Sequence, residues 1–353
     1  MSNKNFIENF DLFKSNGVFF SDKKILIYSL YNKVFQFDKL SNKSKYLGCV
    51  RVSWFDNMFK YFRFYQRLRR LVFYNIIPIP NNRFFLNFSN KIGLLNEKGK
   101  FTPLDGISSR FKILNNGLCQ DESYIYFGEY LSNNNRNRDI NIYRFSKTKL
   151  TYEVIFKFPA GKIRHIHGIY KDPFSKHFYV LTGDLPNECG IYVSRDEFKS
   201  IELLGGGDET WRAVSIIFTE DLIYYGTDSE FLPNNVYSIN KSNLKRIKLG
   251  ELSGPVYYSV LYKKNPLFFI TAELCPSQKD EFFKIIQFKN GKLKTKCKIL
   301  KDLNYQKYLT RIFVKTFMPG NMHLSFHNDN NIEELFLYGI ALKNADNKIF
   351  KLK

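Results

Sequence analysis

The run Arg164-His165-Ile166-His167 sets two imidazoles two positions apart beside a guanidinium. On a strand, residues i and i+2 project to the same side, so the two rings would share one face. Such a pair can bind a metal ion, or one imidazole can take a proton while the other holds a substrate. The chain has five histidines in all, and two within one tripeptide favour chemistry over wall packing. A metal would need a third ligand, with His323 or Asp184 to hand, and an H-x-H pair alone supports one weakly. No cofactor is therefore expected.

Carboxylates recur in a second pattern. Short apolar runs end in an acid at Glu129, Asp184, Asp228 and Glu273, with Glu230 close behind the third. Cleavage of a glycosidic bond needs two carboxyl groups across it, or a tyrosine nucleophile with an acid. Cleavage of a uronate polymer by β-elimination instead needs a cation to neutralise the carboxylate and a base for the C5 proton. Arg164 or Arg212 could do the first, and His165, His167 or Tyr257 the second. Trp211 beside Arg212 offers a flat apolar surface for a sugar face and a guanidinium for an acid group. Neither reaction is singled out by these residues.

Scattered residues of this kind act together only if a fold gathers them. From about residue 72 onward, apolar runs of four to seven residues alternate with Asn, Gly, Lys and Asp, a pattern of short strands. The runs ending at Glu129, Asp184, Asp228, Glu273 and His327 return at intervals of roughly 45 to 55 residues, near the period of four-stranded propeller blades. Upstream partners such as HIHGIY, RAVSIIF, VYYSVLY and RIFVKTF read as innermost strands. The fold class expected is all-β, a single β-propeller domain over residues 1–353. Seven blades are counted, or six if the N-terminal strands merely complete the last. In a propeller the start of each innermost strand and the end of each second strand meet on one rim. That rim would collect Arg164, His165, His167, Trp211, Arg212, Glu129, Asp184, Asp228, Glu230, Tyr257, Glu273, His323 and His327.

Residues 54–71, WFDNMFKYFRFYQRLRRL, carry aromatics and leucines at helical spacing and read as a helical insertion. Its apolar stripe is expected to cover the propeller flank, with Arg63, Arg67, Arg69 and Arg70 on a solvated basic face.

Composition bounds the partners. The chain of 353 residues has a net charge of +21 and 17% aromatic residues, so it is a packed, strand-rich chain that attracts anions. An acidic saccharide suits that charge; nucleic acid is suggested by charge alone, and nucleotide-biased coding explains the Lys and Asn content equally well. Five widely spaced cysteines form no C-x-x-C pair and suit reduced thiols. The N-terminal residues lack the features of a secretory signal, and no apolar run is long enough to span a bilayer. A cytoplasmic location is expected.

GEY at 128–130, RHIHGIYKDP at 164–173, TGD at 182–184, TWRAV at 210–214 and YGTDSE followed by NNVY resemble the sialidase-like, BNR-repeat propellers of bacterial polysaccharide loci. VSRDEFKS from Val193 looks like a worn Asp-box that keeps Ser194 and Asp196 but has Phe198 at the glycine. The resemblance, over residues 60–300, implies a propeller and a carbohydrate context. It brings no matching set of three arginines with a Tyr/Glu pair. The function expected is cleavage of an acidic surface or capsular polysaccharide by hydrolysis or elimination. Arg164, Trp211, Arg212, Glu230, Tyr257 and His323 would bind it, and His165, His167, Glu129, Asp184, Asp228 and Glu273 would act on it. The alternative is a non-catalytic glycan-binding or scaffold propeller.

Overall fold

Runs of Phe, Tyr, Ile and Val become strands here because aromatic and β-branched side chains pack well on a pleated surface. The computed structural model describes residues 6–11, 13–273, 275–302, 318–327 and 331–353, which form seven sheets, antiparallel but for a short parallel strand, Asn331–Ile332, beside the innermost strand of the sixth. In chain order the first six have their innermost strands at Gly17–Ser21, Phe73–Ile79, Leu118–Gln120, Ile166–Lys171, Ala213–Phe218 and Val256–Tyr262. Each continues outward through three more strands in sequence order. Innermost strands are buried along most of their length, whereas an outermost strand such as Lys43–Cys49 is largely exposed. That gradient is why the apolar runs are followed by Lys-rich ones.

The seventh sheet runs Asn321–Leu324, Phe336–Ile340, Ile349–Leu352 and then Ile7–Asn9, so residues from both ends of the sequence make one blade. Ile7 pairs with Leu352 and Asn9 with Phe350. Seven apolar clusters, each bridging two neighbouring blades, complete a closed ring; one of them joins Phe85 of the second blade to Phe127 and Phe145 of the third. The propeller with seven blades is thus the fold.

Two details differ from the sequence reading. The run MHLSFH is the innermost strand of the last blade rather than its second, because Phe336–Ile340 pairs with it directly. His327 therefore lies beyond the far end of that strand, where its ring meets Ser325, away from the rim. RIFVKTF, 311–317, lies outside the described residues.

The insertion is helical but broken, α1 (Trp54–Phe59) and α2 (Arg63–Arg69). Arg69 and Arg70 are exposed as expected, but the rest of the insertion's polarity is reversed. Arg63 and Arg67 turn inward onto Asp346, and Arg67 also reaches Asp302. Trp54, 77% exposed, with Phe55, Met58, Tyr61, Phe62, Phe64 and Leu68, faces outward. Burying two guanidiniums is favourable only with paired acids, and these acids come from the far end of the sequence.

The worn Asp-box forms the turn between the third and fourth strands of the fourth blade. Asp196 accepts from Ser194 Oγ, the Ser200 amide and Ser200 Oγ, and Phe198, at the motif's glycine position, adopts φ +71°. Its ring is buried between blades, which offsets that left-handed backbone.

Because Ile7 packs in the cluster that joins the sixth and seventh blades, Ile7→Ala should lower stability by about 2 kcal/mol, the lower end for a buried isoleucine. Urea denaturation followed by near-ultraviolet circular dichroism measures this.

Candidate functional site

A cavity of about 1070 Å³ opens at the rim where innermost strands begin and second strands end. The local backbone there is irregular in a repeated way. In five blades the pairing of the innermost with the second strand slips near its start, at Val18/Phe20, Phe73/Asn75, Ile166/Gly168, Ala213/Ile216 and Val256/Tyr258. A bulge leaves one residue unpaired and re-aims its side chain. Tyr74, His167, Val214 and Tyr257 fall within these slips, and all four line the cavity.

Small residues bring the blades together around it. A side chain at Gly183 would meet Arg212 Cγ at 3.2 Å, and one at Gly226 would strike Val256 at 2.5 Å. The ends of the second strands thus touch the next blade directly.

Asp184 is the hub. Its carboxylate lies 2.6 Å from Arg164 Nη1, 3.3 Å from Arg212 Nη2, 3.4 Å from His165 Nε2 and 3.5 Å from His167 Nε2. Burial alone would raise its pKa, but the contacts with His165 and His167 outweigh it and hold the carboxyl far below the usual range. The residue adopts φ +143°, a backbone region disfavoured for any side chain. His165 Nδ1 lies 3.0 Å from the Leu131 carbonyl and His167 Nδ1 3.0 Å from the Ala213 carbonyl. Both rings must therefore donate from Nδ1, which fixes their orientation.

Arg212 bridges two acids, with Nε 3.3 Å from Asp228. Its Nη1 is buried and has no hydrogen-bond partner among the described residues, while Glu230 stands 4.0 Å away. Burial pushes the Asp228 carboxyl up to about 8; Arg212 opposes the shift, and Glu273, Asp184 and Glu209 add to it. Glu273 is also raised, by burial first, and accepts a 2.7 Å hydrogen bond from Tyr257 Oη. The phenol of Tyr257 is held well above its ordinary value by burial and by the charges of Glu273 and Asp228. Tyr130, against which the His165 ring lies at 4.1 Å, is pushed up to about 12 by burial.

Of the residues read from sequence, Arg164, His167, Asp184, Arg212, Asp228, Glu230, Tyr257, Glu273 and His323 line this one cavity. His165 sits behind His167. Glu129 and Trp211 are at the expected strand ends but point into the wall. The Glu129 carboxylate accepts from Tyr143 Oη, the Asn141 amide and Asn141 Nδ2. Trp211 lies flat against the Arg246 guanidinium at 4.0 Å. Sequence reading missed Tyr130, Lys112, Lys301 and the lip formed by Leu185, Phe231 and Leu232. Phe231, 65% exposed, supplies the flat apolar surface assigned to Trp211; its place just after YGTDSE was the available signal. Six basic side chains (Arg70, Lys112, Arg136, Arg164, Arg212, Lys301) face six acidic ones (Asp184, Asp208, Glu209, Asp228, Glu230, Glu273) around the cavity. The proton held by Asp228 makes the balance positive.

No family model matches the sequence, and no curated protein matches it. Solved propellers do resemble the structure. An ancestral GH74 enzyme superposes with a TM-score of 0.58 at 10% identity, covering 92% of this chain and 43% of its own, so the chain spans less than half of that protein. The WD40 propeller domain of Doa1 gives 0.57 at 10%, covering 99% and 95%. The extracellular domain of a putative hybrid two-component system of B. thetaiotaomicron gives 0.58 at 10%, covering 98% and 39%. At these identities the likeness is one of fold.

Replacing the hub tests the electrostatics. Asp184→Asn leaves Arg164 and Arg212 without their shared counter-charge and should cost about 3–5 kcal/mol. Urea unfolding at neutral pH measures it, with Asp139→Asn, an exposed acid, as the silent control.

Proposed function

We propose that the protein is a carbohydrate-active enzyme that hydrolyses an acidic glycan at this cavity, of the kind found in bacterial surface or capsular polysaccharides. The observation that carries this reading is the Tyr257–Glu273 hydrogen bond, in a cavity shared with the protonated carboxyl of Asp228 and the Nη1 of Arg212, which has no hydrogen-bond partner among the described residues. A phenol becomes a nucleophile when a base takes its proton during attack. Glu273 is placed to do so.

In the first half-reaction Tyr257 Oη bonds to the anomeric carbon as its proton passes to Glu273, and Asp228 gives its proton to the departing oxygen. In the second, water attacks the same carbon and loses a proton to Asp228. The bond to Tyr257 breaks, and Glu273 returns the proton to the phenolate. A neutral nucleophile suits an anionic sugar, because a carboxylate at that place would repel the substrate's own charge. Arg212 and Arg164 hold the acid group, and Phe231 packs on the sugar face. The GH74 enzyme among the structural neighbours is in keeping with this reading.

His167 favours a second reading. Burial lowers its pKa, so a neutral imidazole stands beside Arg212, an arrangement suited to removing the C5 proton of a uronate. A third outcome, glycan binding without turnover, is common among propellers.

Incubation with acidic oligosaccharides separates the three. New reducing ends without ultraviolet absorbance mean hydrolysis, an unsaturated uronate means elimination, and retention without products means binding. Under hydrolysis, Tyr257→Phe should lower kcat by about 100-fold or more, and full activity in that variant would sink the nucleophile assignment. The rate should also fall as pH rises through about 8, where Asp228 loses the proton it must donate. Asp228→Asn should abolish that limb of the profile.

A further inference from the structure

We infer that His165, His167 and Asp184 form a binding site for one divalent transition-metal ion. The inference is independent of the hydrolysis reading, since it concerns a bound ion and not a turnover.

The argument begins with the imidazoles. Each ring has Nδ1 within 3.0 Å of a backbone carbonyl, Leu131 for His165 and Ala213 for His167. A carbonyl only accepts, so each Nδ1 carries a proton, and the neutral form of each ring presents a bare lone pair at Nε2. Both lone pairs face the Asp184 carboxylate, at 3.4 and 3.5 Å. With both rings neutral, three electron-rich groups confront one another, a cluster that only a cation between them, a proton or a metal ion, can satisfy. His165 is 2% exposed, and its Nε2 is a buried nitrogen without a hydrogen-bond partner among the described residues.

A cation resolves the arrangement. The three donor atoms lie within 4.8 Å of one another. Ligand bonds of about 2.0–2.1 Å at a tetrahedral angle set neighbouring donors roughly 3.3 Å apart. Each imidazole nitrogen already lies near that distance from one carboxylate oxygen, His165 from Oδ2 and His167 from Oδ1, and the wider pairs would draw in on the ion. Two imidazoles and a carboxylate, with the remaining positions open, suit zinc or manganese and not magnesium or calcium, which prefer oxygen alone. The backbone carbonyls bound at Nδ1 are the outer partners that orient metal-binding histidines. Arg164 and Arg212 hold other faces of the carboxylate and repel a dication. Zinc, which bonds imidazole more strongly, is therefore expected to bind more tightly than manganese.

The test is direct. The full chain, dialysed against EDTA and then freed of it, is titrated with zinc chloride or manganese chloride under calorimetry, and its metal content is read by mass spectrometry. One equivalent of zinc should bind. His165→Ala and His167→Ala should each weaken it by about a hundredfold or more, since even outer partners of a ligand contribute 10–100-fold. The double variant Cys49→Ser/Cys275→Ser, which removes the two less buried thiols, should bind zinc as the natural chain does. Circular dichroism reports whether the histidine variants fold, and His165→Asn or His167→Asn replaces any that does not. No uptake of either ion by the folded natural chain, or undiminished uptake in either folded histidine variant, overturns the inference.

Discussion

One buried carboxylate organises the rim. Asp184 meets two guanidiniums and two imidazoles within 3.5 Å, and those groups come from the start of one blade, its bulge and the start of the next. Charges of the same sign can be crowded into a low-dielectric space only around a counter-charge. Remove it, and Arg164 and Arg212 would separate, taking with them the wall against which Asp228 and Tyr257 are held. The strained backbone at Asp184 follows from the same demand, because the chain bends to put that carboxylate where the cations need it.

Around this fixed point the acids divide into two kinds. Asp184 stays ionised because of its neighbours, whereas Asp228 holds its proton because burial and the nearby acids outweigh Arg212, and burial raises Glu273 as well. Carboxyl groups in one cavity with opposite protonation habits are what acid–base chemistry requires. The division arises from the two imidazoles beside Asp184 and the deeper burial of Asp228, not from residue type.

Strand ends were readable from the sequence because the apolar runs alternate regularly and stop at polar residues, so Asp184, Asp228 and Glu273 were placed on the correct rim. The direction of a side chain was not readable. Glu129 occupies the same topological position as Asp184, yet Tyr143 and Asn141 draw its carboxylate into the wall. The bulges that aim His167 and Tyr257 leave no mark in composition, since each is a slip of a single residue. Helical periodicity located the insertion at 54–71, but which face it buries was decided by Asp302 and Asp346, more than two hundred residues away. Local pattern fixes elements; long-range ion pairs orient them.

The ring is shut by strands from both ends of the sequence. The innermost-to-outermost order of the first six blades follows the chain, so each can assemble soon after it leaves the ribosome. The seventh cannot, because Ile7–Asn9 must wait as a lone segment until Ile349–Leu352 has been synthesised. Until then the molecule is an open crescent with two unsheltered ends, and the interval before closure is when a nascent chain of this aromatic content has greatest need of a chaperone.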